Sequence, residues 1–280
     1  MKSYLVALLF FIPTTGWSNP INVGDTTLEI PNPPGFAELT PQMSTVYQLQ
    51  RQLVAPNNEQ FVAFIAESEI PRAIKNEVPE MERTFSVQTS KTLVGLSVSS
   101  ADFLKIKKFI KTENEEVFKK VEKEIPGLMD KANKGITKQF GVDLELSMSQ
   151  MIPFPAHQET DRSLAYSIFV KYKANDENGN QISSVSVVTA TFIHIKGKVL
   201  FLYASAEEGG LQWSRDISEQ WSNAVIAANP SDVQSSVKEV LPSAVTGIDW
   251  GKVGANTLGG AIIGLVIGLI GWAVKRGKSS

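Results

Sequence analysis

The run Leu164-Ala165-Tyr166-Ser167-Ile168-Phe169-Val170-Lys171-Tyr172 decides the fold class. Leu164, Tyr166, Ile168, Val170 and Tyr172 recur at every second position, a period that only a strand places on one face. Asn175-Asp176-Glu177-Asn178-Gly179-Asn180 reads as a turn, and 182–195 as a long second strand. Its apolar set changes face at Val187-Val188, which predicts a bulge there. Lys196-Gly197 makes a tight turn and 198–204 returns. These strands form an antiparallel meander, with 142–148 a candidate fourth member. Trp213, Ile217, Trp221, Val225 and Ala228 then recur at helical spacing, one apolar stripe on a helix stopped by Asn229-Pro230. Strands followed by a helix with one large apolar face predict an α+β fold, an antiparallel sheet covered by helices.

Working upstream, residues 20–99 read as short strands and turns. The expected strands are 26–30, 60–65 and 83–98, the last with a turn near Thr89-Ser90. A short helix is expected over 41–53, ended by Pro56-Asn57-Asn58. Residues 100–141 are expected to be helical, capped by Ser100, with Phe103, Ile106, Phe109 and Ile110 on one face. Glu115 with Lys119 and Glu116 with Lys120 are pairs on its solvent side, and Pro126 divides it.

Both ends of the chain carry export and membrane signals. Lys2, the apolar stretch 4–12 and the small residues Gly16 and Ser18 form a signal-peptide pattern over 1–18. Nine residues make about 14 Å of helix, too short for a hydrocarbon layer of about 30 Å. From Val253 to Val274 the chain has 22 residues without a charge, about 33 Å of helix. Trp250 and Trp272 flank this run as interfacial anchors, and Lys275 and Arg276 follow it. Gly260, Gly264 and Gly268 stand four residues apart, a face on which a second helix can approach closely.

The expected organisation is therefore a signal peptide (1–18), an exported α+β domain (19–230), a juxtamembrane linker (231–252), a transmembrane helix (253–274) and a basic cytoplasmic tail (275–280). This places the chain in the bacterial cytoplasmic membrane, single-pass, with its main domain in the periplasm or outside the cell. Leu241-Pro242-Ser243-Ala244-Val245-Thr246-Gly247 resembles a wall-sorting motif but has two residues too many between Pro and Thr.

Composition narrows the chemistry. The chain has 280 residues, 42% hydrophobic and 20% charged, and no cysteine, so disulfides, thiolate nucleophiles and Cys-ligated zinc are excluded. Lys2, Lys275, Arg276 and Lys278 account for four of 27 basic residues; against 29 acidic ones, 19–252 keeps a charge of about −6. That balance argues against nucleic acid as a partner. No phosphate loop, nucleophile elbow or zinc-protease motif occurs.

His157, Glu159 and Asp161 offer one nitrogen and two oxygen ligands, but at unspecific spacing, and a solvated loop is the expectation. His194 reads as a structural histidine in a strand. Lys105, Lys107, Lys108 and Lys111 read as a solvated helix face, offset by Glu113, Glu115 and Glu116. Trp213 and Trp221 read as core. The residues thus point to no catalytic group, cofactor or metal. Their function class is a membrane-anchored accessory or interaction protein, acting through a partner protein or self-association. The alternative is an anchored ligand-binding or hydrolytic domain, which requires a pocket faced by groups such as Tyr166, Tyr172 or His194.

The meander, the phrase Lys196-Gly197-Lys198-Val199-Leu200-Phe201-Leu202-Tyr203 and the closing helix resemble the second half of PsbP-type domains. Pro33-Pro34-Gly35-Phe36 after a strand is similar to their entry hairpin. The resemblance implies an accessory or binding module rather than an enzyme. The chain as a whole resembles bacterial exported proteins with one C-terminal anchor.

Overall fold

A computed structural model describes residues 18–230, apart from 53, 113–121, 124, 128, 132, 136, 139–144 and 176–180. The fold is α+β, built on a large antiparallel sheet. Strands β1 (Ser18–Val23) and β2 (Thr26–Pro31) pair as a separate hairpin. The main sheet takes β3 (Phe36–Glu38), β4 (Asn58–Ala66), β5 (Thr84–Ser90), β6 (Glu145–Pro153), β7 (Gln158–Thr160), β8 (Ser163–Asn175), β9 (Gln181–Ile195) and β10 (Lys198–Glu207). Its order is β3-β4-β5-β10-β9-β8-β6, with β7 also on β8. The helices are α1 (Ser44–Gln52), α2 (Ile70–Ile74), α3 (Ser100–Thr112) and α4 (Leu211–Ala228). The described residues of 122–138 are helical as well.

The predicted meander β8-β9-β10 is present, with unbroken register from Ser163↔Ile193 to Asn175↔Gln181 and from Lys198↔Ile195 to Glu207↔Ser186. Lys196 and Gly197 both have positive φ, 46° and 75°, the two-residue turn whose twist suits a hairpin. The sequence-based bulge at Val187-Val188 is absent. Both side chains are fully buried, so the change of apolar face reports a strand covered on both sides. Bulges lie instead between Gln60 and Val62 in β4 and between Met148 and Gln150 in β6. The fourth strand is described from Glu145 and runs on to Pro153; positions 142–144 of the expected strand lie outside the described residues.

Alternation sorts the sheet into two cores. Leu164, Tyr166, Ile168, Val170 and Tyr172 face a core shared with Phe192, Phe201, α1 and α3. The opposite face, with Phe64, Phe85, Val87, Ile193 and Leu200, packs against the β1–β2 hairpin and α4. Helices therefore cover both faces. The stripe expected on α4 is rotated: its buried residues are Ser214, Ser218, Trp221, Ser222 and Val225, while Trp213, Ile217 and Ala228 are half-buried. Ser167, Thr189 and Thr191 stand on the strand surface opposite, and small side chains on both sides let helix and sheet approach closely.

Two more expectations are corrected. The strand expected over 83–98 ends at Ser90, and 91–95 turns. The carbonyls of Val94 and Leu96 accept from Lys198 Nζ at 3.2 and 3.1 Å, and that of Val98 bonds His194 Nε2 at 2.7 Å. Side chains have replaced a ladder partner. At the start of α3 the cap is Ser99, not Ser100: Ser99 Oγ accepts from the Asp102 amide at 3.1 Å and donates to the Asp102 carboxylate at 2.8 Å. Pro126 and its described neighbours 125 and 127 are helical.

The ends of the described fold are clasped together. Buried Asn229 accepts from the Glu29 amide at 2.9 Å and donates to the carbonyls of Glu29 and Val225 at 2.7 and 2.8 Å. Trp221 Nε1 donates to Pro31 O at 2.8 Å, and its ring meets Phe64 and Phe85 edge-on. Among the described residues no helix is long and apolar enough to cross a membrane. The predicted signal segment (Ser18 apart), linker, transmembrane helix and tail lie outside the described residues, and with them Trp250, Gly260, Gly264, Gly268, Trp272, Lys275 and Arg276.

Candidate functional site

A cleft opens where α3 passes the end of β6. On α3 the helical period turns Phe103, Ile106 and Ile110 onto the sheet. Across from it, Pro153-Phe154-Pro155-Ala156 joins β6 to β7. Both prolines lack an amide donor, so this connection is held at its remaining amides, Phe154 N to Ser167 O at 2.8 Å and His157 N to Ala165 O at 3.0 Å. Between connection and helix lies a cavity of about 390 Å³, with Leu164 and Tyr166 of β8 at its base and Ile110 and Lys111 along one wall. Phe154 and Ala156 form the opposite wall.

Tyr166 is 5% exposed and packs against the Phe192 ring at 5.8 Å. Tyr166 is among the residues that line the cavity, its hydroxyl makes no hydrogen bond to a described residue, and burial raises its pKa above the usual 10. At the rim, Lys111 Nζ donates to Glu159 Oε2 at 2.7 Å. Lys107, one turn earlier and 4% exposed, donates to Thr160 O and sits 3.3 Å from Glu159 Oε1. Hydrogen bonds from Lys111 first, with Lys107 adding to them, hold the Glu159 pKa below its ordinary value.

The lysine face is thus not simply solvated. Lys107 is buried, Lys111 is paired, and Lys105 pairs with Asp102 at 2.9 Å. The segment 157–162, expected as a loop, holds β7 and a turn at 161–162, with His157 just ahead of the strand. Glu159 is taken by the two lysines, while His157 sits near the Arg215 cation. Partial burial first, and that cation second, lower the His157 pKa to about 4. His157, Glu159 and Asp161 do not converge, and among the described residues no group of three metal-ligating side chains does.

Arg162 reaches inward, donating from Nε to His194 O and from Nη2 to Asn229 O, each at 3.2 Å. His194 stands in β9, where the sequence expects a strand, and its Nε2 is bonded to Val98 O. Its ring stacks on Phe103 at 5.2 Å, and burial lowers its pKa. Of the three groups that a pocket could have presented, the structure brings Tyr166 to the cavity. Tyr172 is buried in the core and His194 is sealed. Trp213 packs against Phe85 with the Arg83 guanidinium 4.4 Å over its ring, and with Trp221 belongs to the core.

Several polar positions were not singled out from the sequence. Lys198, 2% exposed, donates to two carbonyls and pairs with Asp25 at 3.0 Å. Its neighbour Gly24 passes so close to Val94 O that a Cβ would lie 2.5 Å from it. Ser167, Thr189 and Ser214 form a hydroxyl chain at 2.9 and 2.8 Å between sheet and α4. The alternation of β8 signalled Tyr166 as a buried residue, but nothing in it signalled the missing partner for its hydroxyl.

A scan against protein-family models finds no match, and neither does a comparison with curated proteins. Among solved structures, the fold is similar to the solution structure of cyanobacterial PsbP (CyanoP) from Synechocystis sp. PCC 6803. The two share 13% identity over 74% of this chain and 88% of that one, with a TM-score of 0.28. The likeness falls on the family that the meander resembles. At that TM-score it has no bearing on the chemistry of the cleft.

Proposed function

We propose that this chain is an exported, membrane-tethered accessory module of the bacterial envelope, without chemistry of its own, that acts through a partner protein or self-association. One observation carries the non-catalytic part. His194, Lys107, Arg162, Lys198 and Asn229 all bond to main-chain carbonyls. They serve as struts of a rigid body, whereas a general acid or base must meet the proton it transfers. The tether rests on the sequence pattern at 1–18 and 253–274, and association on the face of Gly260, Gly264 and Gly268.

The test is affinity purification of the full chain from native membranes beside a variant with all three glycines changed to isoleucine. A stoichiometric membrane partner, or a second copy, should accompany the native chain and be lost from the variant, while both remain in the membrane fraction. Unchanged association in the variant would remove the glycine face from the proposal. The alternative, an anchored ligand-binding or hydrolytic domain, is favoured by one observation, the cleft based on Tyr166.

A further inference from the structure

We infer that the cleft between α3 and the β6–β7 connection binds a small amphiphilic carboxylate, an aryl or short-acyl body carrying one oxyanion. Its size, its walls, its base and its rim together select this ligand class, and none of them depends on the membrane tether.

At about 390 Å³ the cleft falls within the size range of small-molecule sites, about 300–1,000 Å³. Ile110, Phe154 and Ala156 make its walls apolar and Leu164 adds an apolar base, so the bulk of an occupant must be apolar. At the base, buried Tyr166 keeps a hydroxyl without a partner among the described residues. That hydroxyl is a donor left over for an acceptor on the ligand. At the rim, two ammonium groups, Lys107 and Lys111, share the Glu159 carboxylate, which leaves one positive charge in excess within this trio. Lys107 is buried and committed to Thr160 O, but Lys111 is half-exposed, and its ammonium has donors beyond the one used on Glu159.

A donor at the base, a cation at the rim and apolar walls between them match an apolar anion. They do not match a metal ion, which would meet Lys111 first, or a sugar, whose several hydroxyls would find apolar walls.

The experiment is calorimetric titration of the purified full chain with 4-phenylbutyrate and with its neutral amide, each corrected by a protein-free blank in the same buffer. The native protein should bind both saturably and the acid more tightly. Tyr166→Phe keeps the ring and removes the donor, and should weaken both probes about tenfold. Lys111→Met should erase the preference for the acid. Ala156→Trp, at an exposed loop position, should fill the cleft and abolish binding while leaving the urea midpoint unchanged. Absence of saturable binding, a Tyr166→Phe variant that binds like the native protein, a preference for the acid that survives Lys111→Met, or binding that survives Ala156→Trp would each overturn the inference. None of these outcomes alters the purification test of the tether, so the two readings fail separately.

Discussion

Lys198 shows what a single side chain does here. Its stem is buried between β10 and the 91–97 segment, and its ammonium joins that segment to the β1–β2 turn. Asp25, the ionic partner, is almost wholly exposed and contributes little through a screened contact. The two carbonyls are the stronger tie, because removing a buried donor leaves two part-buried acceptors without their partner. Lys198→Met should therefore cost about 2–4 kcal/mol in urea unfolding, and Asp25→Asn much less.

Histidine gives the pH dependence at the same scale. His157 and His194 have folded pKa values below the unfolded value of about 6.5, that of His157 at about 4. Between these values the unfolded chain binds protons that the folded chain refuses, so stability present above pH 6.5 is lost as pH falls toward 4. Glu69 and Glu207 have raised values, from burial first and neighbouring carboxylates second, and act in the opposite sense. The comparison is therefore native against His157→Gln. The variant's melting temperature should fall less steeply than the native one between pH 6.5 and 4, and parallel curves would show that His157 has no such role.

At the scale of elements, α4 is seated by small polar residues rather than by the tryptophan stripe alone. Ser214, Ser218 and Ser222 recur every fourth residue and are all buried. Ser214 completes a hydroxyl chain with Thr189 and Ser167, whereas the hydroxyls of Thr191 and Ser218 find no partner among the described residues. Exchanging Thr191 for valine keeps the shape and removes an unsatisfied group. Thr191→Val should be neutral or stabilising by about 1 kcal/mol, whereas Ser222→Leu should overpack the interface and cost about 1–3 kcal/mol. Thermal unfolding of the two variants measures both. A destabilised Thr191→Val would show that its hydroxyl is bonded after all.

At the scale of the whole molecule, Asn229 binds the last described helix to a hairpin 200 residues earlier in the chain. The hairpin pairs with no strand of the main sheet, so this clasp, Trp221 and the shared apolar core hold it in place. Asn229→Ala should lower stability by about 2–4 kcal/mol and speed hydrogen exchange in residues 21–30 more than in β9. Equal acceleration in both regions would mean that hairpin and sheet open as one unit.

Periods and local chemistry made part of this architecture legible in the chain. Strict alternation at 164–172 revealed β8, Lys196-Gly197 marked its neighbours as a hairpin, and spacing of three and four revealed α3 and α4. These signals are local, since each depends on residues a few positions apart. Which strands are covered on both faces became visible only in three dimensions, because a doubly buried strand loses the alternation that would reveal it. The destinations of the polar side chains were equally hidden. Lys107, Arg162, Lys198 and Asn229 look like surface residues in the chain and become ties only when distant carbonyls arrive beside them. The cleft belongs to the same class. Tyr166, Lys111 and Ala156 carry no common motif, and they line one cavity because α3 and the β6–β7 connection pass the same stretch of β8.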